Sequence, residues 1–314
     1  MRLFVAASPH SRNPQDVSSI MLHVILALVP TSLMGIFFFG IPALSVIITS
    51  VLSALAFEVG VNTLRHQKLT IFDGSAALTG LLLALTLPPI IPLWMVVLGN
   101  GFSIIVVKHL FGGLGHNIFN PALSGRLFLS VAYPVAMTSW IKPHALLDPV
   151  YISTATPLAK EATLIVSNWQ LFWGNVGGSV GETSAFAILL GAIWLFKKGI
   201  LDWKIPGSFL ATVFFMALLF GQDPLFHLLA GGTLLGAFFM MTDYVTSPLT
   251  KMGRLLYGIT LGVLVMSVRL FSHMPEGLAF CIVLMNGVVP LLDKAGIALH
   301  VHVYALIFKE HQDT

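Results

Sequence analysis

Long apolar stretches, separated by short polar or Pro/Gly-rich breaks, follow one another along the whole chain. About 20 apolar residues suffice for a helix to cross the hydrocarbon core of a bilayer. The pattern therefore predicts about ten transmembrane helices, some of them short. They are predicted near residues 18–39, 42–63, 74–88, 92–110, 122–138, 181–196, 206–220, 226–242, 254–272 and 276–293.

The composition agrees with a membrane location. Of 314 residues, 56% are hydrophobic and only 9% are charged, and the mean hydropathy is +0.91. Soluble domains carry about 25% charged residues, so this chain has too few polar side chains to cover its surface in water. We predict an all-α polytopic membrane protein in contact with lipid.

The positions of Lys and Arg predict the orientation, because cytoplasmic connections are enriched in them. Basic residues of the N-terminal arm, and those that follow the second, sixth, eighth and tenth predicted helices, would lie inside. Lys108 and His109 would close the fourth helix on the same side. Both termini are then cytoplasmic, and the long connection 139–180 faces outward. Four residues do not follow this rule: Lys142, Lys160, Arg269 and His273.

Five predicted helices precede the long connection and five follow it. Because five is odd, homologous halves would run in opposite directions, as in the inverted repeats of many transporters. The Gly-rich stretches 73–82 and 230–237 resemble each other and predict discontinuous helices near the midplane; close helix packing by small residues explains them equally well. The predicted units are residues 1–138, 139–180 and 181–314.

Polar residues inside apolar stretches are costly and therefore candidates for function. Arg126 would pair with a phosphate, a flavin carbonyl or a buried carboxylate, with Asn117 and Asn120 supplying further polar groups nearby. The alternative is an arginine that extends to the inner headgroups.

Two acidic residues are candidates for an ion path. Asp243, flanked by threonines, suits a proton or a hard cation, and Asp73 occupies the corresponding place in the first half. The alternative for Asp243 is a helix end solvated by inner water. Glu58 is expected to pair with Arg65 at the interface, about two helical turns further on.

Several kinds of chemistry have little support. The chain has one cysteine and 11 scattered histidines, so it cannot hold an iron–sulfur cluster on cysteines, and no histidine pair has the helical spacing of a zinc site. No metal site is therefore assigned. The basic residues do not cluster, which argues against nucleic-acid binding. No catalytic residue is assigned either.

The segment 153–159, Ser-Thr-Ala-Thr-Pro-Leu-Ala, lies within the long connection. Pro157 biases Thr156 toward an extended backbone. No carboxylate or lysine within hydrogen-bond reach in sequence would activate the hydroxyls of this segment, but an extended run of small residues would suit a modifying enzyme. The alternative is an ordinary solvated loop.

This segment, together with 115–122 (Gly-His-Asn-Ile-Phe-Asn-Pro-Ala) and 241–248 (Met-Thr-Asp-Tyr-Val-Thr-Ser-Pro), resembles one family of bacterial membrane proteins. That family contains the D component of Rnf complexes and the B component of sodium-translocating NADH:quinone reductases. The resemblance covers nearly the whole chain. It implies a urea-channel-like fold of two five-helix inverted repeats.

The resemblance also implies cofactors. FMN would be joined by a phosphodiester to Thr156, at the end of a motif that begins at Ser153, and a separate flavin transferase would install it from FAD. A non-covalent riboflavin would lie within the bundle. Cofactor contacts are then expected at Thr156, Ser153, Arg126, Asn117 and Asn120.

The function implied is that of a flavoprotein subunit in the bacterial cytoplasmic membrane. With the other Rnf subunits it would pass electrons between reduced ferredoxin and NAD and couple this to Na⁺ or H⁺ transport, with Asp243 and then Asp73 as ion-path candidates. The alternative is a channel or secondary transporter for a small polar solute, which would leave the hydroxyl-rich loop without a role.

Overall fold

The computed structural model describes residues 16–143, 153–154, 156–158, 166–272 and 277–310. Some residues used to predict the orientation, namely those of the N-terminal arm with Lys160 and His273, lie outside these ranges. The described chain is mainly helical, as the apolar pattern predicted.

The first half comprises the helices before the long connection. Their bounds are α1 Val17–Phe39, α2 Ile41–Leu64, α3 Ser75–Thr86, α4 Leu93–Gly101 (continued by the π-helical turns Phe102–His109), α5 Pro121–Ala132 and the short α6 Pro134–Met137.

The long connection contains a short helix, α7, and the second half contains a further series. Their bounds are α7 Asn168–Trp173, α8 Ala185–Lys197, α9 Lys204–Leu219, α10 Pro224–Leu229, α11 Thr233–Leu235 (continued by the π-helical turns Gly236–Met240), α12 Lys251–Phe271 and α13 Leu278–Glu310.

Four helices among the described residues are long and apolar enough to cross a membrane on their own. They are α1, α2, α12 and the part of α13 from Leu278 to Leu299. Several shorter apolar helices pack among them. Large apolar side chains such as Leu33, Phe37 and Phe215 face outward, each at least 60% exposed. Lipid would cover them, so the chain is an all-α membrane protein.

Two of the predicted stretches are broken in the structure, and one of the breaks lies in the stretch 230–237, where a discontinuous helix was predicted. The stretch 122–138 ends as a helix at Ala132, because Pro134 lacks an amide hydrogen and disfavours helical geometry at the preceding residue. The stretch 226–242 is interrupted at residues 230–232, between α10 and α11, where Gly231 has a φ of +63°.

Glycines allow close helix contacts in both halves. A Cβ on Gly80 of α3 would lie 2.7 Å from the carbonyl oxygen of Ser50 and 2.9 Å from Cβ of Ala54, both in α2. A Cβ on Gly262 of α12 would lie 2.6 Å from Cβ of Thr212 in α9. Small residues at such positions let backbones approach where lipid provides no hydrophobic drive for association.

A two-residue strand pair holds part of the long connection. Strand β1, Trp140–Ile141, pairs antiparallel with β2, Ser153–Thr154, with Ile141 opposite Ser153. Trp140 and Ile141 are buried. This pairing holds the backbone of Ser153 and Thr154, the latter two residues before Thr156.

Candidate functional site

Thr156 follows β2 and is buried, with 6% of its surface exposed. It lines a small cavity of about 10 Å³ with Pro157, Leu158, Glu182 and a Gly-Gly pair at 177–178. A cavity of that size holds at most one water molecule. The structure therefore seats this threonine against the protein rather than in a solvated loop. Ser153 contributes to the strand pair through its backbone.

Arg126 meets a buried carboxylate. Its Nη1 donates to Oε1 of Glu182 across 2.9 Å, and the side chains are 8% and 7% exposed. Of the partners that the sequence left open, a carboxylate is the one observed. An arginine buried in this way does not extend to the headgroups.

Glu182 reaches the bundle because residues 180–182 fold back into it. The amides of Val180 and Gly181 donate to the carbonyl oxygens of Leu87 and Leu85 at the end of α3, at 3.1 and 2.8 Å. Glu182 was not among the predicted site residues, although it lies at the start of the predicted helix 181–196, where a carboxylate is costly.

A second buried arginine holds the break between α10 and α11. Arg269 of α12 donates to the carbonyl oxygens of His227 and Ala230, at 2.7 and 3.1 Å, and to Oγ1 of Thr233 at 2.7 Å. Carbonyls at a helix end have no partner within the helix, and the guanidinium supplies one. The sequence identifies Arg269 only as a basic residue on the outer side, against the enrichment of Lys and Arg in cytoplasmic connections.

The two arginines line one cavity of about 20 Å³, whose other lining residues include Leu158 and Glu182. Leu158 and Glu182 also line the cavity of Thr156. The Thr156 loop and the Arg126–Glu182 pair therefore form one continuous region, which we call the loop-side site.

A larger cavity, of about 90 Å³, lies at the other end of α3 and α5. Its polar lining includes Asn117, Asn120, Thr242, Asp243 and Lys108, among mostly apolar side chains. Ser75, at the start of α3, lines this cavity, whereas Thr86, at its end, lines the loop-side site. Eleven helical steps between them correspond to about 17 Å.

The predicted cofactor residues thus divide between two places. Asn117 and Asn120 lie at the larger cavity, while Arg126 and Thr156 lie in the loop-side site. Asn120 caps α5, since its side chain accepts from the amide of Leu123 at 3.2 Å. The backbone amide of Asn120 donates to Oδ1 of Asn286 in α13. This hydrogen bond joins the two halves of the chain.

Glu58 is completely buried, and the predicted pairing with Arg65 is wrong. Its carboxylate accepts from Nζ of Lys108, 2.9 Å from both oxygens, and lies 2.8 Å from Nε2 of His109. Arg65 instead donates to the backbone carbonyl of His109. Lys108 and His109 are 2% and 4% exposed, so they lie inside the protein and not at a solvated helix end.

The two ion-path candidates have different surroundings. Asp73 accepts from the amide and the hydroxyl of Ser75, at 2.8 and 2.6 Å, and so caps α3. Asp243 lines the larger cavity and accepts from Oγ1 of Thr246 at 3.0 Å. The carboxylates lie on separate elements, and only Asp243 has access to the cavity.

The fold and these sites define a multi-pass helical membrane protein with two internal polar sites at different depths. The chain belongs to the NQR2, RnfD, RnfE family, whose model matches residues 4–298.

Relatives carry names that describe ion-translocating complexes. A Clostridium ljungdahlii protein, named as the D component of a proton-translocating ferredoxin:NAD(+) oxidoreductase complex, is 43% identical, with 92% of this chain and 93% of that protein covered. An Acetobacterium woodii protein, named as the D component of the Na(+)-translocating complex, is also 43% identical, over 94% and 93%. A Citrobacter koseri protein, named as the D component of an ion-translocating oxidoreductase complex, is 39% identical, over 92% and 96%.

Proposed function

We propose that this chain is a flavoprotein subunit of an ion-translocating ferredoxin:NAD⁺ oxidoreductase complex in the bacterial cytoplasmic membrane, corresponding to the D component for which its relatives are named. Family membership supports the complex. The observation that carries the flavin assignment is the position of Thr156, which a strand pair presents immediately before Pro157 at the loop-side site.

The residues at Thr156 fit attachment through the hydroxyl but not enclosure of a flavin ring. The cavity of about 10 Å³ is far too small for the ring, so FMN joined to this hydroxyl would project beyond it. A flavin transferase would form the bond from the threonine oxygen to phosphorus and release AMP from FAD. Bound FMN would supply one- and two-electron chemistry that amino-acid side chains lack.

We assign the non-covalent riboflavin to the larger cavity. Apolar walls with a few amide and hydroxyl groups suit a flavin, and Asn117, Asn120 and Thr242 offer such groups. The enclosed volume of about 90 Å³ is less than a full flavin needs. Part of the molecule would therefore occupy the open side of the cavity.

The finer architecture is also proposed. We propose two five-helix inverted repeats, in units 1–138, 139–180 and 181–314, with both termini cytoplasmic and the loop-side site outside. Two observations support the repeats: each half has glycine-mediated contacts, and the short α3 corresponds in order to the interrupted α10–α11. Na⁺ or H⁺ would be transported, with Asp243 facing the larger cavity.

The experiment is expression of the full chain with a flavin transferase, followed by denaturing gel electrophoresis and flavin fluorescence. The native chain is expected to give a fluorescent band, and T156V to give none. T154V is the matched control, because Thr154 lies in the same loop and should leave the band unchanged. A native chain without a fluorescent band would contradict the flavin assignment and favour the transporter alternative, for which the polar cavity is the supporting observation.

A further inference from the structure

Three consecutive backbone amides at the loop-side site have no acceptor in the part of the chain that the structure describes. They belong to the segment 177–179, Gly-Gly-Ser, in which the second and third residues are buried. The amides of Val176 and Val180, on either side, both donate to carbonyl oxygens. Roughly nine in ten or more of the buried amides in proteins have a partner. Three successive amides without one therefore indicate an acceptor that the chain itself does not supply.

The side chain of Ser179 adds another donor of the same kind. Its hydroxyl is fully buried and makes no hydrogen bond within the described residues. A buried hydroxyl without a partner costs free energy relative to a solvated one. The segment thus presents three amides and a hydroxyl, and successive backbone amides are a common way for proteins to bind an anion.

This segment shares a cavity with Thr156. Gly177 and Gly178 line the space of about 10 Å³ that the threonine also lines. A Cβ on Gly178 would meet nothing within 4 Å, although the residue is buried. A cavity that can hold one water molecule can also hold one oxygen atom of a phosphate group, because the two are similar in size. The flavin ring cannot enter it.

The charges around this cavity are compatible with an anion. Glu182 is the one charged residue among its described lining residues, and its Oε1 accepts from Nη1 of Arg126 at 2.9 Å. That contact offsets the repulsion between the carboxylate and an incoming anion. Arg269 lines the adjoining cavity with the same pair, so positive charge lies close to the segment.

We propose that the segment 177–179 binds the phosphate group of FMN once FMN is joined to Thr156. One non-bridging oxygen of the phosphodiester would occupy the cavity and accept hydrogen bonds from these amides and from the hydroxyl of Ser179. The ring would lie outside. Glycine is required at position 178 because any side chain would fill the space that this oxygen needs. The inference rests on the proposed attachment to Thr156 and adds how the attached group is positioned.

The test compares the stability of the full chain with and without attached flavin. The native chain, G178A and G60A are each expressed with and without the flavin transferase, and the equilibrium constant for unfolding is measured in mixed detergent micelles. Attachment should lower this constant for the native chain by about tenfold or more, because hydrogen bonds to a charged group form only in the folded state.

G178A should lose this effect of attachment. Its methyl group fills the cavity without a clash, and the φ of Gly178 lies outside the left-handed region, so the fold itself should tolerate alanine. G60A is the matched control, because it adds a methyl group in α2 where nothing lies within 4 Å. Attachment should stabilise G60A as much as it stabilises the native chain.

Equal effects of attachment in the native chain and G178A would overturn the phosphate site and leave the attachment to Thr156 intact. A native chain that takes up no flavin would contradict the proposed function, and the phosphate site with it. If G178A takes up no flavin, S179A decides, because it removes the hydroxyl without filling the cavity. The effect of attachment should then fall by about fivefold or more, and an undiminished effect would overturn the site.

Discussion

The guanidinium of Arg126 in α5 contacts the carboxylate of Glu182 at 2.9 Å, and both side chains are more than nine-tenths buried. Fifty-six residues separate them in sequence. The pair joins the first half of the chain to the segment that enters the second half. Both residues line the cavity of about 20 Å³, and Glu182 also lines the cavity of Thr156.

Replacement of Arg126 by methionine should strongly destabilise the protein. It leaves the Glu182 carboxylate buried beside an apolar side chain, and breaking a buried ion pair in this way costs about 3–5 kcal/mol. The measurement is the free energy of unfolding in mixed detergent micelles. K204M is the control: Lys204 pairs with Asp202 at side-chain exposures of 23% and 29%, and such pairs contribute about 0–1 kcal/mol. Similar losses in the two variants would contradict this account.

Gly80 and Gly60 form a matched pair for testing helix packing. G80A places a methyl group 2.7 Å from the Ser50 carbonyl oxygen, and such overpacking costs about 1–3 kcal/mol. G60A meets nothing within 4 Å and should be neutral or stabilising by up to about 1 kcal/mol, since alanine has the higher helix propensity. The same unfolding measurement distinguishes them. Equal stability would show that α2 and α3 do not pack at Gly80 as described.

Asp223 should make stability depend on pH. A hydrogen bond from Nδ2 of Asn168, at 2.8 Å, holds the pKa of the Asp223 carboxyl below its ordinary value. In the unfolded chain this carboxyl has a pKa of about 3.9, and in the folded chain its pKa is lower. The ionised carboxylate therefore stabilises the fold fully above about pH 3.9, and this stabilisation is lost as the pH falls through the folded pKa.

The melting temperatures of the native chain and D223N, compared from pH 6 to pH 3, test this. The native chain should melt higher at pH 6, and the difference should shrink toward pH 3. The difference in melting temperature between the native chain and N168A should shrink in the same way, because this substitution removes the hydrogen-bond donor to Asp223. A difference that stays constant with pH would contradict the assignment.

The two proposed flavins can be separated chemically. Asn117 lines the larger cavity and lies far from Thr156, so N117L should lower the flavin that acid extracts while leaving the acid-stable flavin unchanged. Loss of one buried hydrogen bond should weaken retention by roughly fivefold to tenfold. Flavin fluorescence of the extract and of the pellet measures both. A loss of acid-stable flavin alone would contradict the assignment of the two sites.

The apolar pattern predicted the helical fold because bilayer-crossing helices need long apolar stretches, which are visible in sequence. It also placed Gly231 in a stretch that was expected to be discontinuous, and the helix is interrupted there. Proline and glycine act through local backbone geometry, so their effects can be predicted without knowing the tertiary structure.

The partners of the buried charges could not be predicted in the same way. Glu58 pairs with Lys108, 50 residues away, and not with nearby Arg65. Sequence distance is a poor guide once helices pack side by side. Glu182 lies at the start of the predicted helix 181–196, but its partner Arg126 is 56 residues away in sequence. The pairing becomes evident only once the amides of Val180 and Gly181 bond to the end of α3.

Leu158, two residues after Thr156, occupies the space beside Gly231 at the interruption between α10 and α11. A Cβ on Gly231 would lie 2.7 Å from Cδ1 of Leu158, so that side chain would have to shift. The φ of +63° at this position also favours glycine. The loop that carries Thr156 therefore packs directly against the broken helix, and a substitution at Leu158 would alter the surroundings of both the threonine and the break.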